Sequence, residues 1–126
     1  IAINKASVSL SRQPDNQEEA VGAAKLLLQR GYNFDMGFAQ INSANLKNPA
    51  LKARGISLDN IFDTCTNVRA AEAILVDCYV RARGYYRNEQ TALNAALSCY
   101  NTGNFSKGIT NGYVRKVYAA RIREAQ

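Results

Sequence analysis

Two apolar stripes at helical spacing, with nine residues between them, run through the second half of this sequence. Val68, Ala71, Leu75, Cys78 and Ala82 form the first, with Thr66 or Asn67 available as a cap and Gly84 to close it. Ala92, Leu93, Ala96, Leu97 and Tyr100 form the second behind an Asn88 cap, and Asn101-Thr102-Gly103-Asn104 reads as a turn. A last helix is predicted from about Tyr113 to Glu124, with Val114, Val117, Tyr118 and Ile122 inward. Upstream, Asp15-Asn16-Gln17-Glu18-Glu19 opens a helix that buries Ala20, Val21, Ala24, Leu27 and Leu28 and stops at Gly31. Tyr32 to Phe38 alternates strictly instead, so it reads as a short strand or hairpin arm, with Gln40 continuing the Phe34/Met36/Phe38 face. Residues 1–15 are unpatterned, and Ile41 to Phe62 reads as short helical pieces broken at Asn48-Pro49 and Gly55. The expectation is a single, mainly α domain over residues 1–126, with a small β-hairpin element near residues 32–40.

Composition narrows the chemistry more than the fold. The 126 residues are 47% apolar and 21% charged, which suits one core-forming domain. No apolar run reaches the roughly 20 residues of a membrane span. There is no histidine, which removes Ser-His and Cys-His nucleophile pairs and every imidazole metal site. Three cysteines without a CxxC pair are too few for a thiolate zinc site, and no glycine-rich phosphate loop occurs. No metal and no cofactor are expected. Catalysis would fall to carboxylates, tyrosines, amides, lysines or a lone thiol.

The net charge of +6 lies wholly in residues 81–126, since residues 1–80 balance eight basic against eight acidic side chains. Such a surface attracts polyanions, whether nucleic acid, anionic membrane or acidic wall polymer, although helix-surface cations also serve solubility. Cys65 precedes a helix predicted over 67–83, and Cys99 ends one predicted over 89–100. An antiparallel hairpin would bring these outer ends together, so Cys65–Cys99 is the expected disulfide, with Cys78 reduced and buried on the core stripe. Cys65 and Cys78 lie about 20 Å apart along one helix and cannot bridge.

Four segments carry a resemblance. Gly37-Phe38-Ala39-Gln40-Ile41-Asn42 resembles the GLMQIN segment of lysozyme-like lytic transglycosylases, and Ala96-Leu97-Ser98-Cys99-Tyr100-Asn101-Thr102-Gly103 resembles their A-x-x-YN-x-G segment. Gly112-Tyr113-Val114-Arg115-Lys116-Val117 is similar to the GYV-x-KV of their last helix. Phe62-Asp63-Thr64-Cys65-Thr66-Asn67 and the lead-in Gly31-Tyr32-Asn33-Phe34-Asp35 resemble the branch associated with type IV secretion and conjugation. The matches fall in the family's order and cover nearly the whole chain. They imply an α+β lysozyme-like fold, a periplasmic location and peptidoglycan glycan strands as substrate, with type IV secretion subunits as possible partners.

The resemblance also implies site residues. Gln40 and Asn42 would line the cleft floor, Tyr100 and Asn101 would flank the catalytic carboxylate, with Tyr100 polarising it, and Tyr113 would offer a ring or hydroxyl. Without it, the tyrosines read as core aromatics with hydroxyls at the rim, and Asn42 as a helix cap. The family's acid is a glutamate in a Glu-Ser pair ahead of an N-P-x-A-I segment. No Glu-Ser pair occurs in this sequence, and Ile1-Ala2-Ile3-Asn4 would fall at or just after that segment. The acid is therefore expected upstream of residue 1, on a catalytic helix that this chain lacks.

Three functions follow for comparison. The first is a peptidoglycan lytic transglycosylase, which cleaves the MurNAc-β-1,4-GlcNAc bond with a 1,6-anhydro product and opens the wall for a secretion or conjugation apparatus. The second is a catalytically inactive glycan-binding or secretion-channel docking module. Nucleic-acid binding ranks last, because no DNA- or RNA-reading signature accompanies the basic C-terminal third.

Overall fold

The computed structural model describes the backbone of residues 1–5 and 7–125 and the side chains of residues 1–5 and 7–120. It divides into two compact units, Ile1–Ala73 and Ile74–Gln126.

In the first unit, Asn16 caps helix α1 (Gln17–Gln29), its side chain accepting the Glu19 amide at 2.9 Å. The helix buries Ala20, Ala24 and Leu27, while Leu28 is 41% exposed, so the inward face is narrower than the sequence pattern suggested. Three short strands follow the order β1 (Ala2–Ile3), β2 (Phe34–Met36), β3 (Ile41–Asn42), all antiparallel. Ile3 pairs with Phe34, and Met36 with Ile41. The strand expected over residues 32–38 thus shrinks to three residues, and it pairs both with β3 and with a strand from the unpatterned N-terminus. Phe34 and Met36 are fully buried, but Phe38 is 79% exposed. The alternation ends because Gly37 turns the chain at φ 71°. A 3-10 helix (Ser43–Lys47) and helix α2 (Pro49–Ala53) are started by Asn42 and Asn48, each accepting an amide two residues on.

Helix α3 (Thr64–Tyr85) begins one residue after Asp63 and crosses from one unit into the other. Its buried positions are Thr66, Asn67, Ala70, Ala73, Ile74, Cys78 and Ala82, whereas Val68 is 46% exposed. The inward face is rotated from the predicted stripe, and the first turn buries polar side chains that a hydrophobic pattern cannot register.

In the second unit, Asn88 caps helix α4 (Glu89–Thr102), which closes at Gly103 with φ 78°. The expected turn at 101–104 therefore starts two residues later. Helix α4 buries Ala92, Ala95, Ala96, Ser98 and Cys99. That row of small side chains lets α5 (Lys107–Thr110) and α6 (Tyr113–Ala125) pack close to it. Val114 is buried on α6; the predicted Ile122 contact lies outside the described side chains.

The disulfide joins Cys78 to Cys99, with Cα atoms 5.8 Å apart, and corrects the expected Cys65–Cys99 bridge. Cys65 is an exposed free thiol. Cys78 is buried on the inward face of α3, where it meets Cys99, whereas Cys65 lies on the exposed side of the first turn, about 20 Å further along the same helix. Arg81, paired with Asp77 at 3.0 Å, sits over the bridge with Nη2 3.4 Å from Cys99 Sγ.

Candidate functional site

The first unit presents Gln40 and Asn42 from a tightly held turn. Gln40 adopts φ 51°, a left-handed conformation that non-glycine residues rarely occupy. Two donors from Gln40 hold it there: its amide reaches Gly37 O at 3.0 Å and its Nε2 reaches the same oxygen at 2.9 Å. Beneath the turn lies Asn67, fully buried on the first turns of α3. Its Oδ1 accepts the Ala39 amide at 2.7 Å, and its Nδ2 donates to Met36 O at 3.1 Å and Ile61 O at 2.9 Å.

Asn42 serves two roles. Its Oδ1 caps the 3-10 helix, and its Nδ2 donates to Asn33 Oδ1 at 2.8 Å and Asp35 Oδ1 at 2.9 Å. Asn33 returns a bond to Asn42 Oδ1 at 2.9 Å, and Asn4 Nδ2 adds further bonds to Asn33 and Asp35. An amide-and-carboxylate network thus ties all three strands together. It offers neutral donors and acceptors of the kind that match sugar hydroxyls and N-acetyl groups.

The second unit gathers Tyr100, Asn101 and Tyr113. Tyr100 is half-buried near the end of α4; burial, then the neighbouring Tyr113, pushes its phenol above the usual tyrosine value. Burial also raises Tyr113. Both hydroxyls stay protonated at neutral pH. Asn101 Oδ1 accepts from Asn111 Nδ2 at 2.9 Å, and Asn111 Oδ1 accepts the Tyr113 amide at 2.9 Å. Asn111 therefore couples the Tyr-Asn pair to the start of α6.

Several supporting residues were not singled out from the sequence. Ser98, fully buried, accepts the Gly108 amide at 2.7 Å and donates to Asn104 O. A Cβ at Gly108 would stand 2.5 Å from Ser98 Cα, so only glycine lets α5 sit this close. Asn104 Oδ1 gathers the amides of Ser106 and Lys107 and the Ser106 hydroxyl. Such Asn and Ser side chains look like ordinary turn residues until their partners are known. Among the described residues no group of three or more His, Cys, Asp or Glu could hold a metal, and no helix is long and apolar enough to cross a membrane.

The helices with their small antiparallel sheet have the make-up of an α+β lysozyme-like domain. Residues 3–123 match the Transglycosylase SLT domain, and the chain belongs to that family. It is 39% identical over 125 residues to the type IV secretion system protein virB1 of Brucella abortus biovar 1 (strain 9-941), covering 94% of this chain and 50% of that protein. It is 35% identical over 105 residues to protein virB1 of Agrobacterium fabrum, covering 83% and 40% of the two chains. The figure is 38% over 103 residues for protein virB1 of Rhizobium radiobacter, with 81% and 40% covered. The chain spans about half the length, or less, of these relatives. No solved structure matches it.

Proposed function

We propose that this chain forms part of a periplasmic peptidoglycan lytic transglycosylase that cleaves the MurNAc-β-1,4-GlcNAc bond and opens the wall for a type IV secretion apparatus. The observation that carries this reading is the family match over residues 3–123, which takes in both the Gln40–Asn42 turn and the Tyr100-Asn101 pair. The names of the virB1 relatives support the secretion context.

The reaction needs one carboxyl group, which we assign to a Glu-Ser pair ahead of residue 1. That glutamic acid gives its proton to the glycosidic oxygen as the bond to the muramyl anomeric carbon breaks, releasing the GlcNAc 4-hydroxyl. The resulting carboxylate takes the proton of the muramyl 6-hydroxyl, whose oxygen closes onto the anomeric carbon. The acid is regenerated and no water is consumed. An attacking group within the same sugar has a high effective concentration, so no second carboxylate is required. Tyr100, with Asn101 and Tyr113 beside it in the second unit, is assigned to orienting and polarising the acid; Gln40 and Asn42 in the first unit are assigned to hydrogen bonds with the glycan.

The test is digestion of purified murein by the protein extended upstream through the Glu-Ser pair. Anhydromuropeptides, lighter by one water than hydrolysis products, are expected by mass spectrometry and should vanish in the upstream Glu→Gln variant. A protein that yields none, or a variant that behaves like its parent, overturns the reading.

A further inference from the structure

The turn that carries Gln40 is held in an unfavourable backbone shape by a residue that the proposed reaction does not use. Asn67 spends every polar atom of its side chain on that turn and its approach. One oxygen accepts from Ala39, and one nitrogen donates both to Met36 and to Ile61. It is fully buried, so water cannot replace any of these bonds. The fit is reciprocal, because a Cβ on Gly37 would stand 2.4 Å from Asn67 Nδ2. Gly37 itself sits at φ 71° and Gln40 at φ 51°. Residues held in such conformations persist only where their surroundings over-determine them. Here the bracing passes from α3 through Asn67 into residues 36–39, and from Gly37 O into Gln40. Phe38, 79% exposed at the tip, adds no buried packing that would explain the turn's shape.

We propose that Asn67 is a positioning residue for glycan binding: its buried amide latches the 37–40 turn so that Gln40 is displayed in the left-handed conformation that engages the sugar. This inference rests on the glycan reading of Gln40 given above. An isosteric carboxyl tests it well. In Asn67→Asp the acceptor for Ala39 remains, and a protonated carboxyl still donates one bond. An ionised one turns an acceptor oxygen toward the Met36 and Ile61 carbonyls, where Nδ2 donated, and opens the latch. The backbone groups that Asn67 meets do not titrate. The Asp63 carboxyl, four residues earlier, is engaged by Thr66; Asp35 accepts from Asn42 and Asn4 in the strand network.

The experiment titrates chitotetraose into the isotopically labelled chain and follows both the amide resonances of residues 37–41 and the dissociation constant across pH. Asn67→Asp should match its parent at low pH. Its affinity should then fall by about tenfold as the new carboxyl ionises, in step with loss of exchange protection at Ala39. Parent and Gln40→Ala should show no such step, and adding Gln40→Ala to Asn67→Asp at high pH should cost little more. If Asn67→Asp does not fold, Gly37→Ala strains the same latch from the turn side and should weaken binding similarly. A variant whose turn opens while affinity holds overturns the positioning role and leaves the glycan reading standing. A parent chain that does not bind chitotetraose at all overturns both.

Discussion

Ser98 and Gly108 show how single atoms set the spacing of the helices beside the Tyr100-Asn101 pair. The Ser98 hydroxyl is the described partner of the Gly108 amide, and both groups are buried. Ser98→Ala leaves that amide unpaired and is expected to cost about 1–3 kcal/mol. Gly108→Ala instead drives a methyl into the Ser98 backbone and should cost a similar amount through overpacking. Urea unfolding measures both. A change near zero in both variants would mean that α5 shifts freely, and that the contact does not hold the end of α4. Neither residue stood out in the sequence. A serine and a glycine ten positions apart carry no pattern, and their importance comes from a contact made only in the folded chain. Asn42 was more legible, because its cap reaches just two residues ahead. Asn67, offered with Thr66 as a cap, is a buried latch instead, because its partner Met36 lies 31 residues away in the sequence.

At the scale of elements, α3 rests on two fixtures. Asp63 accepts the Thr66 amide and then the Thr66 hydroxyl, and these bonds hold its carboxyl below the usual carboxylate range. On acidification the unfolded chain takes up this proton first. The stabilisation is therefore complete above the ordinary carboxylate value and is lost as pH falls through the lower folded one. Asp63→Ala should lower the melting temperature near about pH 6, and the gap to the parent should close near about pH 2. A gap that persists in acid would assign the loss to something other than the charge. The second fixture is the Cys78–Cys99 bridge, which closes 21 residues of sequence and ends one residue before Tyr100. Replacing both cysteines with alanine should cost about 2–4 kcal/mol. Thiol counting on the unfolded, unreduced protein should find one group, alkylated at Cys65; three would remove the bridge. The Asn88 cap of α4 was readable because it is local, whereas α3 starts at Thr64, ahead of the cap expected at Thr66 or Asn67, and runs past Gly84 to Tyr85. The disulfide pairing was not readable, because it depended on which cysteine of α3 packs against Cys99 in the folded chain.

Across the whole molecule, charge is the property most unevenly spread, with the full +6 excess carried by residues 81–126. Retention on purified anionic murein should fall as salt rises from about 0.05 to about 0.5 M, since screening shortens the reach of exposed charges. Retention that ignores salt would leave the excess as a solubility feature alone. Sequence by itself determined the helical character, the cap within Asp15–Glu19 and that at Asn88, the missing histidine chemistry and the ordered motifs that place the chain in its family. These depend on residue identity and on neighbours within a turn or two. Only tertiary structure decided that β1 would come from an unpatterned N-terminus, that Phe38 would leave the strand face, and that Cys78 would bond to Cys99. It also decided that Asn67 and Ser98 would be buried as polar latches. Each outcome depends on which distant backbone groups come within hydrogen-bonding or bonding distance. Periodicity and local propensity carry no information about that proximity.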